Sequence, residues 1–311
     1  MPGPVRRTEP PITEQQNTEA FLRLLAAQRR LYADVKASHN RRLIALAVIA
    51  AATIVVGVFA PSARNYIGGT VAIGMGLWAV LGEVVEKRKN GTAASIQEEF
   101  DTGLFRLDRH PYLATRPSDW EITEAANRGS RDGLPNWYQP RSLSDLVRPL
   151  DVLVCQRANL DYGVSLHRAY ARLLVLVLGV VLALAVTVGF TFQYTLLNWV
   201  FALVAPLAAT AAALVKEAVL HRESATNKAT LQTKVAELWR RALDDPATVT
   251  DTDCRAAQDR ILQLRQSNAR VPDWFYKRRW GQNESTMLAN SSHLVEEARA
   301  RGHVLPNADD I

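Results

Sequence analysis

The chain has 311 residues, of which 48% are hydrophobic and 22% charged, and its formal net charge is +6. Its mean hydropathy of -0.08 averages long uncharged stretches with stretches dense in arginine and glutamate, which excludes a uniform soluble globule. Cys155 and Cys254 form no CxxC or Cys/His motif, which argues against a disulfide framework and favours a reducing compartment.

The first segment, residues 1–42, begins with a polar, proline-rich stretch that lacks the apolar core of a signal peptide. Between residues 17 and 39 the apolar residues recur at helical spacing. This pattern predicts an amphipathic cytoplasmic helix that runs straight into the apolar stretch following it. The stripe consists of Phe21, Leu24, Leu25, Leu31 and Val35.

Four apolar stretches are each long enough to cross a bilayer as a helix, because about 20 residues span the roughly 30 Å of the hydrocarbon core. The alternative, a set of buried soluble helices, is disfavoured since such helices are usually shorter or carry a polar face. Short connectors imply two helical hairpins. The stretches are 43–60, 66–85, 173–192 and 196–215, which gives transmembrane hairpins over 43–85 and 173–215.

Basic residues flank those ends of the four stretches that are distant from the connectors. The positive-inside rule therefore places both termini and the central section in the cytoplasm. No stretch carries an ionisable residue at its centre, which argues against a proton relay or a midplane transport site. The flanking residues are Arg41, Arg42, Lys87, Arg88, Lys89, Arg168, Arg172, Lys216 and Arg222.

Small residues recur at four-residue spacing in the second and third apolar stretches, a pattern that lets membrane helices approach closely. The pattern is common by chance in alanine-rich spans, but it predicts helix packing, and we expect the chain to form a homo-oligomer. The residues concerned are Gly68, Ala72, Gly76, Gly179 and Ala183.

The central cytoplasmic section, 86–172, is predicted to form helices separated by two loops. The first helix starts after a break at Asn90-Gly91, because this dipeptide favours turns. The helices predicted here are one through Phe105 capped by Thr92 or Ser95, one that begins at a Ser118/Glu121 capping box, and one from Leu143 to Arg172 that continues into the third stretch.

The C-terminal tail, 216–311, continues the fourth stretch as a cytoplasmic helix. A second helix over 254–268 and a turn at Pro272 precede a final helix that ends near Gly302. The predicted fold class is therefore an all-α membrane protein. Its four transmembrane helices form two hairpins, with helical cytoplasmic extensions from the N-terminus, the central section and the tail.

A cluster of carboxylates follows the second apolar stretch, where Glu98, Glu99 and Asp101 fall within four positions of “IQEEFDTGLFRL” (96–107). A metal site or an acid–base pair is one interpretation, but such chemistry needs histidine or further carboxylates that converge on the same site. The histidines are scattered, and no HExxH motif or phosphate-binding glycine loop occurs. The sequence therefore predicts no enzyme, no metal and no cofactor.

The preferred interpretation of these carboxylates is a structural anchor. We expect them to pair with Arg106, Arg157 or Arg168 and so to fix the cytoplasmic part to the spans. Such pairs specify geometry more than they add stability, and they can act as a latch that a ligand loosens.

Six local sequences, in order along the chain, resemble those of a bacterial family, the SMODS-associating four-transmembrane effectors. The resemblance covers nearly the whole chain, with one departure, “DRHPY” (108–112), where the family typically has a PWN-like turn. The matching stretches are “LLAAQRRLYADVK” (24–36), “SIQEEFDTGLFRL” (95–107), “NWY” (136–138), “LVCQRAN” (153–159), “RAAQDRILQLRQSN” (255–268) and “PDWFY” (272–276).

The resemblance implies a function that composition does not show. Members of this family look like membrane-disrupting proteins that are encoded beside cyclic-oligonucleotide synthases in antiphage defence. By this resemblance we expect an effector of the bacterial inner membrane that a cyclic oligonucleotide activates and that causes abortive infection, with membrane lipid as a further partner. The alternative is a membrane-anchored sensor or scaffold that recruits a cytoplasmic partner without pore activity.

Two stretches combine arginine or lysine, which bind phosphates, with aromatic rings on which bases stack. The ordinary alternative is that the rings pack against neighbouring helices and the arginines meet lipid headgroups. The candidate ligand-binding residues are Arg128, Arg131, Trp137, Tyr138 and Arg141 in and near 136–141, and Trp274, Tyr276, Lys277 and Arg278 in 273–280.

Overall fold

The computed structural model describes residues 10–59, 64–113, 115–161 and 163–305, and within these ranges every regular element is a helix. Two 3₁₀ turns (Arg141–Asp145 and Pro246–Thr248) and a π-helical segment (Val200–Val204) accompany the α-helices. The α-helices are α1 Ile12–Gln15, α2 Glu19–Phe59, α3 Arg64–Phe105, α4 Asp119–Asn127, α5 Leu150–Asp161, α6 Val164–Thr191, α7 Leu196–Trp199, α8 Ala205–Asp244, α9 Asp251–Ser267 and α10 Asp273–Ala300.

Helices α2 and α3 lie antiparallel along most of their length. Near the membrane His39 contacts Glu86, and further out Tyr32 donates a hydrogen bond to the Gln97 side chain at 3.2 Å. The amphipathic helix predicted for 17–39 does continue into the first apolar stretch, since α2 is uninterrupted from Glu19 to Phe59. The helix over the fourth stretch likewise continues as α8, and the capping box of α4 is present.

The break predicted at Asn90-Gly91 is wrong, because α3 runs through it without interruption. Glycine disfavours a helix interior by about 1 kcal/mol. Here tertiary contacts outweigh that penalty, since the buried Asn90 amide donates to the carbonyls of Arg265 and Gln266 at 2.9 and 3.0 Å. The polar side chain that would favour a turn is thus used to hold α9 against α3.

The single helix predicted from Leu143 to Arg172 is also wrong. The chain forms a 3₁₀ turn at Arg141–Asp145, then α5, and then a break at Gly163 before α6 begins at Val164. Gly163 has φ of +115°, a conformation that residues with a side chain rarely adopt. Pro149 directly precedes α5. Because proline lacks an N–H and disfavours the helical conformation of the residue before it, a helix that begins at Leu143 cannot run through this position into α5.

The parts of the chain outside the apolar stretches share one core. Its largest fully buried side chains include Phe100 and Phe105 of α3, Leu153 of α5 and Trp239 of α8. Residues of α2, α9 and α10 belong to the same cluster. The N-terminal helix, the central section and the tail therefore pack together as one helical body beneath the apolar stretches.

Three helical stretches are long and apolar enough to cross a membrane: Glu19–Val56, Leu150–Thr191 and Leu196–Asp244. The remaining predicted span, 66–85, lies within α3, and the side chains at 64–69 and 72 fall outside the described residues. Gly68 and Ala72 are therefore outside the described side chains. In the single chain nothing packs against Gly76 or Gly179, and Ala183 is exposed. Helix packing at these positions would require a second chain, so it stays a prediction.

Replacing Gly163 by alanine should destabilise the fold by about 1–3 kcal/mol, because a side chain is strained at this positive φ. The added Cβ would also lie 3.0 Å from Lys228 Nζ. Gly91→Ala is the control, since it lies inside α3 with nothing within 4 Å and should stabilise by about 0.5–1 kcal/mol. Thermal unfolding in detergent measures both, and the reverse order of midpoints would contradict this account.

Candidate functional site

The first site is a buried ionic cluster between α3 and α9, here called the distal cluster and formed by Glu98, Asp101, Arg255, Gln258 and Arg265. Arg255 Nη2 lies 2.6 Å from Glu98 Oε1, and Arg265 Nη2 lies 2.6 Å from Asp101 Oδ2. Gln258 Nε2 donates to both carboxylates, at 2.9 and 3.1 Å. Both carboxylates are 0% exposed, so α9 neutralises charges that α3 buries.

Tyr138 closes the distal cluster from the side of the 136–140 loop. Its hydroxyl donates to Asp101 Oδ1 at 2.6 Å and accepts from Asn159 at 2.7 Å. Its ring stacks on Phe100 with centroids 6.2 Å apart, and its backbone N–H donates to the Gln16 side chain. The ring predicted as a stacking platform for a base is thus a buried core residue in this state.

The electrostatics of the distal cluster follow from its burial. Burial raises the pKa of Glu98, and the hydrogen bonds from Gln258 and Arg255 oppose this only in part. Burial also raises the pKa of the Tyr138 hydroxyl well above its usual value, with the negative charge of Asp101 acting in the same direction. Tyr138 therefore stays a neutral hydrogen-bond donor to Asp101.

Glu99 points away from the distal cluster and holds the α3–α4 loop. It forms an ion pair with Arg109 and a second with Arg116, whose Nη2 lies 2.7 Å from Glu99 Oε1. Arg109 also donates to the Ser95 hydroxyl at 2.6 Å. The three carboxylates of the sequence motif thus serve two different sites. Glu98 and Asp101 are three positions apart and share one face of α3, whereas Glu99 lies on another face.

The arginine partners predicted for these carboxylates are wrong. Arg106 donates to the Pro10 carbonyl at 2.7 Å, and Arg168 is exposed. Burial lowers the pKa of Arg157, and the carboxylate charges that oppose this are those of Asp161 and Glu297, not those of the motif. The actual partners come from α9, whose “RAAQDRILQLRQSN” stretch was recognised as a motif although nothing in it specified the pairing.

The second site, here called the proximal cluster, lies where α2, α3 and α8 leave the apolar stretches and consists of His39, Arg42, Glu86, Glu217 and Arg270. Arg42 donates to both Glu86 oxygens, at 3.1 and 3.0 Å. His39 lies 3.2 Å from Glu86 and 3.5 Å from Glu217, and Arg270 lies 3.5 Å from Glu86. Two helices and the α9–α10 linker therefore meet on the Glu86 carboxylate, which is 1% exposed, and α8 joins them through the contact of Glu217 with His39.

The charge of Glu86 is strongly favoured in this environment. Burial raises its pKa, but the hydrogen bonds and positive charges of His39 and Arg42 outweigh burial and lower the pKa to about 2. Nearby, His167 of α6 and His221 of α8 are buried with their Nδ1 atoms 2.8 Å apart. This contact links α6 to α8 beside the proximal cluster.

One continuous segment, 255–270, joins the two clusters. It carries Arg255, Gln258 and Arg265 to the distal cluster and Arg270 to the proximal cluster. Between these contacts the Ser224 hydroxyl of α8 accepts the Ala269 N–H at 3.1 Å. Glu86 and Asp101 are 15 positions apart on α3, which is about 22 Å along a helix, so this segment braces α3 over that length.

The predicted ligand-binding residues fall into two surfaces, both held against α2. In the first, Arg131 forms a two-pronged ion pair with Glu19, and Arg128 lies 3.2 Å from Asp34. Arg141 is exposed, and Trp137 is half-buried against the common core. Arg128 and Arg131 are thus paired with carboxylates of the same chain and lie at the surface.

The second surface begins α10. Lys36 forms an ion pair with Asp273 at 3.1 Å and lies 5.3 Å over the Tyr276 ring. Trp274 is 59% exposed, and Lys277 and Arg278 are exposed as well. Within the described residues, no group of three or more His, Cys, Asp or Glu side chains is arranged to hold a metal ion.

Comparison with known proteins gives two findings. The family model described as the SMODS-associating 4TM effector domain matches residues 10–294. A protein of Bacillus cereus (strain VD146), described as a probable CBASS effector molecule, is 24% identical over 296 residues, which cover 92% of this chain and 99% of that protein. No solved structure matches the chain significantly.

Replacing Arg265 by methionine should destabilise the fold by about 3 kcal/mol or more, because it leaves the buried Asp101 carboxylate without its cationic partner. Arg260→Met is the matched control on the same helix, where the exposed side chain should contribute less than about 0.5 kcal/mol. Thermal and denaturant unfolding in detergent measure both. Equal stability of the two variants would show that the distal cluster contributes nothing.

The low pKa of Glu86 predicts a specific pH dependence. A carboxyl whose pKa is about 2 when folded and 4.5 when unfolded adds stability above pH 4.5 and loses it as the pH falls towards 2. We expect the parent protein to lose on the order of 2 kcal/mol through this group over that window. Glu86→Gln should remove this part of the dependence, whereas exposed Glu124→Gln should not. Unfolding midpoints between pH 6 and pH 3 test this.

Proposed function

Because this chain belongs to the family of SMODS-associating four-transmembrane effectors, we propose that it permeabilises the bacterial inner membrane when a cyclic oligonucleotide binds its cytoplasmic body. The relative described as a probable CBASS effector supports a role in antiphage defence, with a cyclic-nucleotide synthase as functional partner. The observation that carries the mechanism is the bracing of α3, a single helix that extends from the second apolar stretch to the distal cluster.

The exposure of α3 supports its assignment as a fourth span. Three large apolar side chains on its membrane portion, Ile73, Leu77 and Leu81, are 64–68% exposed in the single chain. Water does not favour such a surface, but lipid tails or a second copy of the chain would cover it. With four spans whose basic flanks face the cytoplasm, both termini lie in the cytoplasm. Assembly into a homo-oligomer would place the exposed apolar faces of α3 against other copies of the chain.

The proposed signal passes through ion pairs of unequal strength. Arg131–Glu19 and Arg128–Asp34 are surface pairs between α2 and the 128–133 loop, and surface pairs contribute little stability. The phosphates of a cyclic oligonucleotide can therefore replace the carboxylates as partners of these arginines with little loss of stability. Arg141, which is near them in the chain, is exposed. Release of α2 would then change its packing against α3.

The buried clusters convert that local change into a change of the spans. Removing one partner from a buried ion pair is strongly unfavourable, so such clusters favour two discrete arrangements over a graded series. Glu86 of α3 contacts α2 and the α9–α10 linker, and His39 of α2 also contacts Glu217 of α8, so a shift of α2 acts on all of them at once. This action requires no catalysis.

A scaffold that recruits a cytoplasmic partner is the second candidate function. The absence of an ionisable residue at the centre of any apolar stretch favours it, since a hydrated pore is often lined by polar groups. It predicts a specific co-purifying partner and no change in membrane potential upon expression, whereas the effector function predicts loss of the potential when the synthase is active.

Purified protein in dye-loaded liposomes should release dye only when the cognate cyclic nucleotide is added from a panel of cyclic di- and trinucleotides. Calorimetry on the same preparation reports binding directly. Leakage that no member of the panel alters, together with no binding, would contradict activation by these ligands.

Asp101→Asn should alter ligand-dependent leakage and toxicity, because it weakens the pair with Arg265 and leaves the shape of the site unchanged. Glu98→Gln should act in the same direction through Arg255. Glu99→Gln is the matched control on the same helix, since Glu99 serves the α3–α4 loop and not the distal cluster. If Asp101→Asn and Glu98→Gln both leave activity unchanged, the distal cluster has only a packing role.

A further inference from the structure

The first turn of α10 packs against helices that enter the membrane. Phe275 is buried in a cluster with Tyr170 and Leu174 of α6, and the ring centroids of Phe275 and Tyr170 are 5.0 Å apart. Leu174 belongs to the apolar stretch 173–192, and Leu214 of the fourth stretch packs on the same cluster. The start of α10 therefore lies at the depth where both stretches meet the cytoplasmic face of the bilayer.

Trp274 is exposed at that depth. Its ring is edge-on to Phe275, with centroids 5.5 Å apart, and 59% of the residue is accessible. Tryptophan combines a large apolar ring with one N–H donor and is enriched where a protein meets the headgroup layer. The ring therefore continues the apolar surface of the span bundle onto the cytoplasmic body.

Exposed basic residues follow this tryptophan on α10 and also lie on α6, against which its neighbour Phe275 packs. Lys277 and Arg278 are exposed on the next turn of α10, and Arg168 and Arg172 are exposed on either side of Tyr170 on α6. The carboxylate of Asp273 is already neutralised by Lys36 at 3.1 Å. A tryptophan amid basic residues at the cytoplasmic leaflet is the arrangement that attracts anionic lipid headgroups.

We propose that Trp274, Lys277 and Arg278 form a docking surface for the cytoplasmic leaflet of the membrane that the chain crosses, with the phosphates of anionic lipids as ligands. The proposal rests on the membrane orientation given under the proposed function, but not on activation by a nucleotide. It assigns this surface to lipid, whereas the arginines of the 128–141 region serve the soluble ligand. The far end of α10 lies in the common core through Leu294 and Val295, so α10 links the leaflet to that core.

Spin-label depth measurements in lipid nanodiscs test the location. One label replaces Trp274 through Trp274→Cys, and a control label replaces Trp120 through Trp120→Cys. Trp120 is 76% exposed on α4, whose neighbours Ala27 and Ile96 lie away from the apolar stretches. Both native cysteines are buried and should remain unlabelled. We expect accessibility to a water-soluble nickel relaxant to be several-fold lower at 274 than at 120, and equal accessibility would overturn the proposal.

Varying the fraction of anionic lipid tests whether the positive charges of Lys277 and Arg278 contribute to docking. Raising the phosphatidylglycerol fraction in phosphatidylcholine nanodiscs should lower nickel accessibility at position 274 further. Lys277→Glu with Arg278→Glu should remove at least half of that decrease, while Lys234→Glu with Arg240→Glu, exposed on α8 farther from the membrane, should not. No dependence on phosphatidylglycerol in the parent protein would overturn the assignment to anionic lipid.

A nucleotide-binding measurement distinguishes lipid phosphate from the phosphate of a soluble nucleotide as the ligand of this surface. Calorimetry with the panel of cyclic di- and trinucleotides should give the same result for the parent and for Lys277→Ala with Arg278→Ala. Loss of nucleotide binding in this variant, with the lipid dependence intact, would assign the surface to the soluble ligand and overturn the proposal. A failure of nucleotide-triggered leakage would leave the depth and lipid measurements unaffected, so the two proposals fail separately.

Discussion

The burial of Glu98 and Asp101 on α3 is the constraint on which the helical body outside the apolar stretches depends. A carboxylate taken out of water is strongly unfavourable unless cations and hydrogen-bond donors surround it. Among the residues that the structure describes, α9 supplies the two arginines and the glutamine that meet both groups, so α9 must lie along this face of α3. Apolar packing alone would tolerate several registers of two helices, but these paired contacts select one.

The position of α9 in turn fixes the linker that follows it, because Arg270 comes five residues after Arg265 and reaches Glu86. Asn90 and Ser224 hold the backbone between these arginines. The tail is thus attached to α3 at both ends of the part of this helix that extends beyond its apolar stretch. Since the tail is also the continuation of the fourth apolar stretch, the second and fourth stretches are coupled through contacts outside the membrane.

The sequence predicted the helices better than the contacts between them. Periodicity and long uncharged runs identified α2, α8 and the last two helices, since these features depend on local residues. The uninterrupted path of α3 through Asn90 and Gly91 was missed because it depends on α9, 175 positions away from Asn90 in sequence. Pairing of Asp101 with Arg265 was missed for the same reason, since several arginines offered equally good local chemistry.

The length of α3 gives the contacts outside its apolar stretch a mechanical advantage. From Asp101 to its first residue, Arg64, the helix extends over 37 positions, or about 55 Å. If the part of α3 beyond the proximal cluster behaves as a rigid rod that pivots at Glu86, 22 positions from Arg64, a tilt of about 5° displaces its far end by about 3 Å. A rearrangement of a few tenths of an ångström among hydrogen bonds near the pivot is thereby magnified many-fold at the N-terminal end of α3.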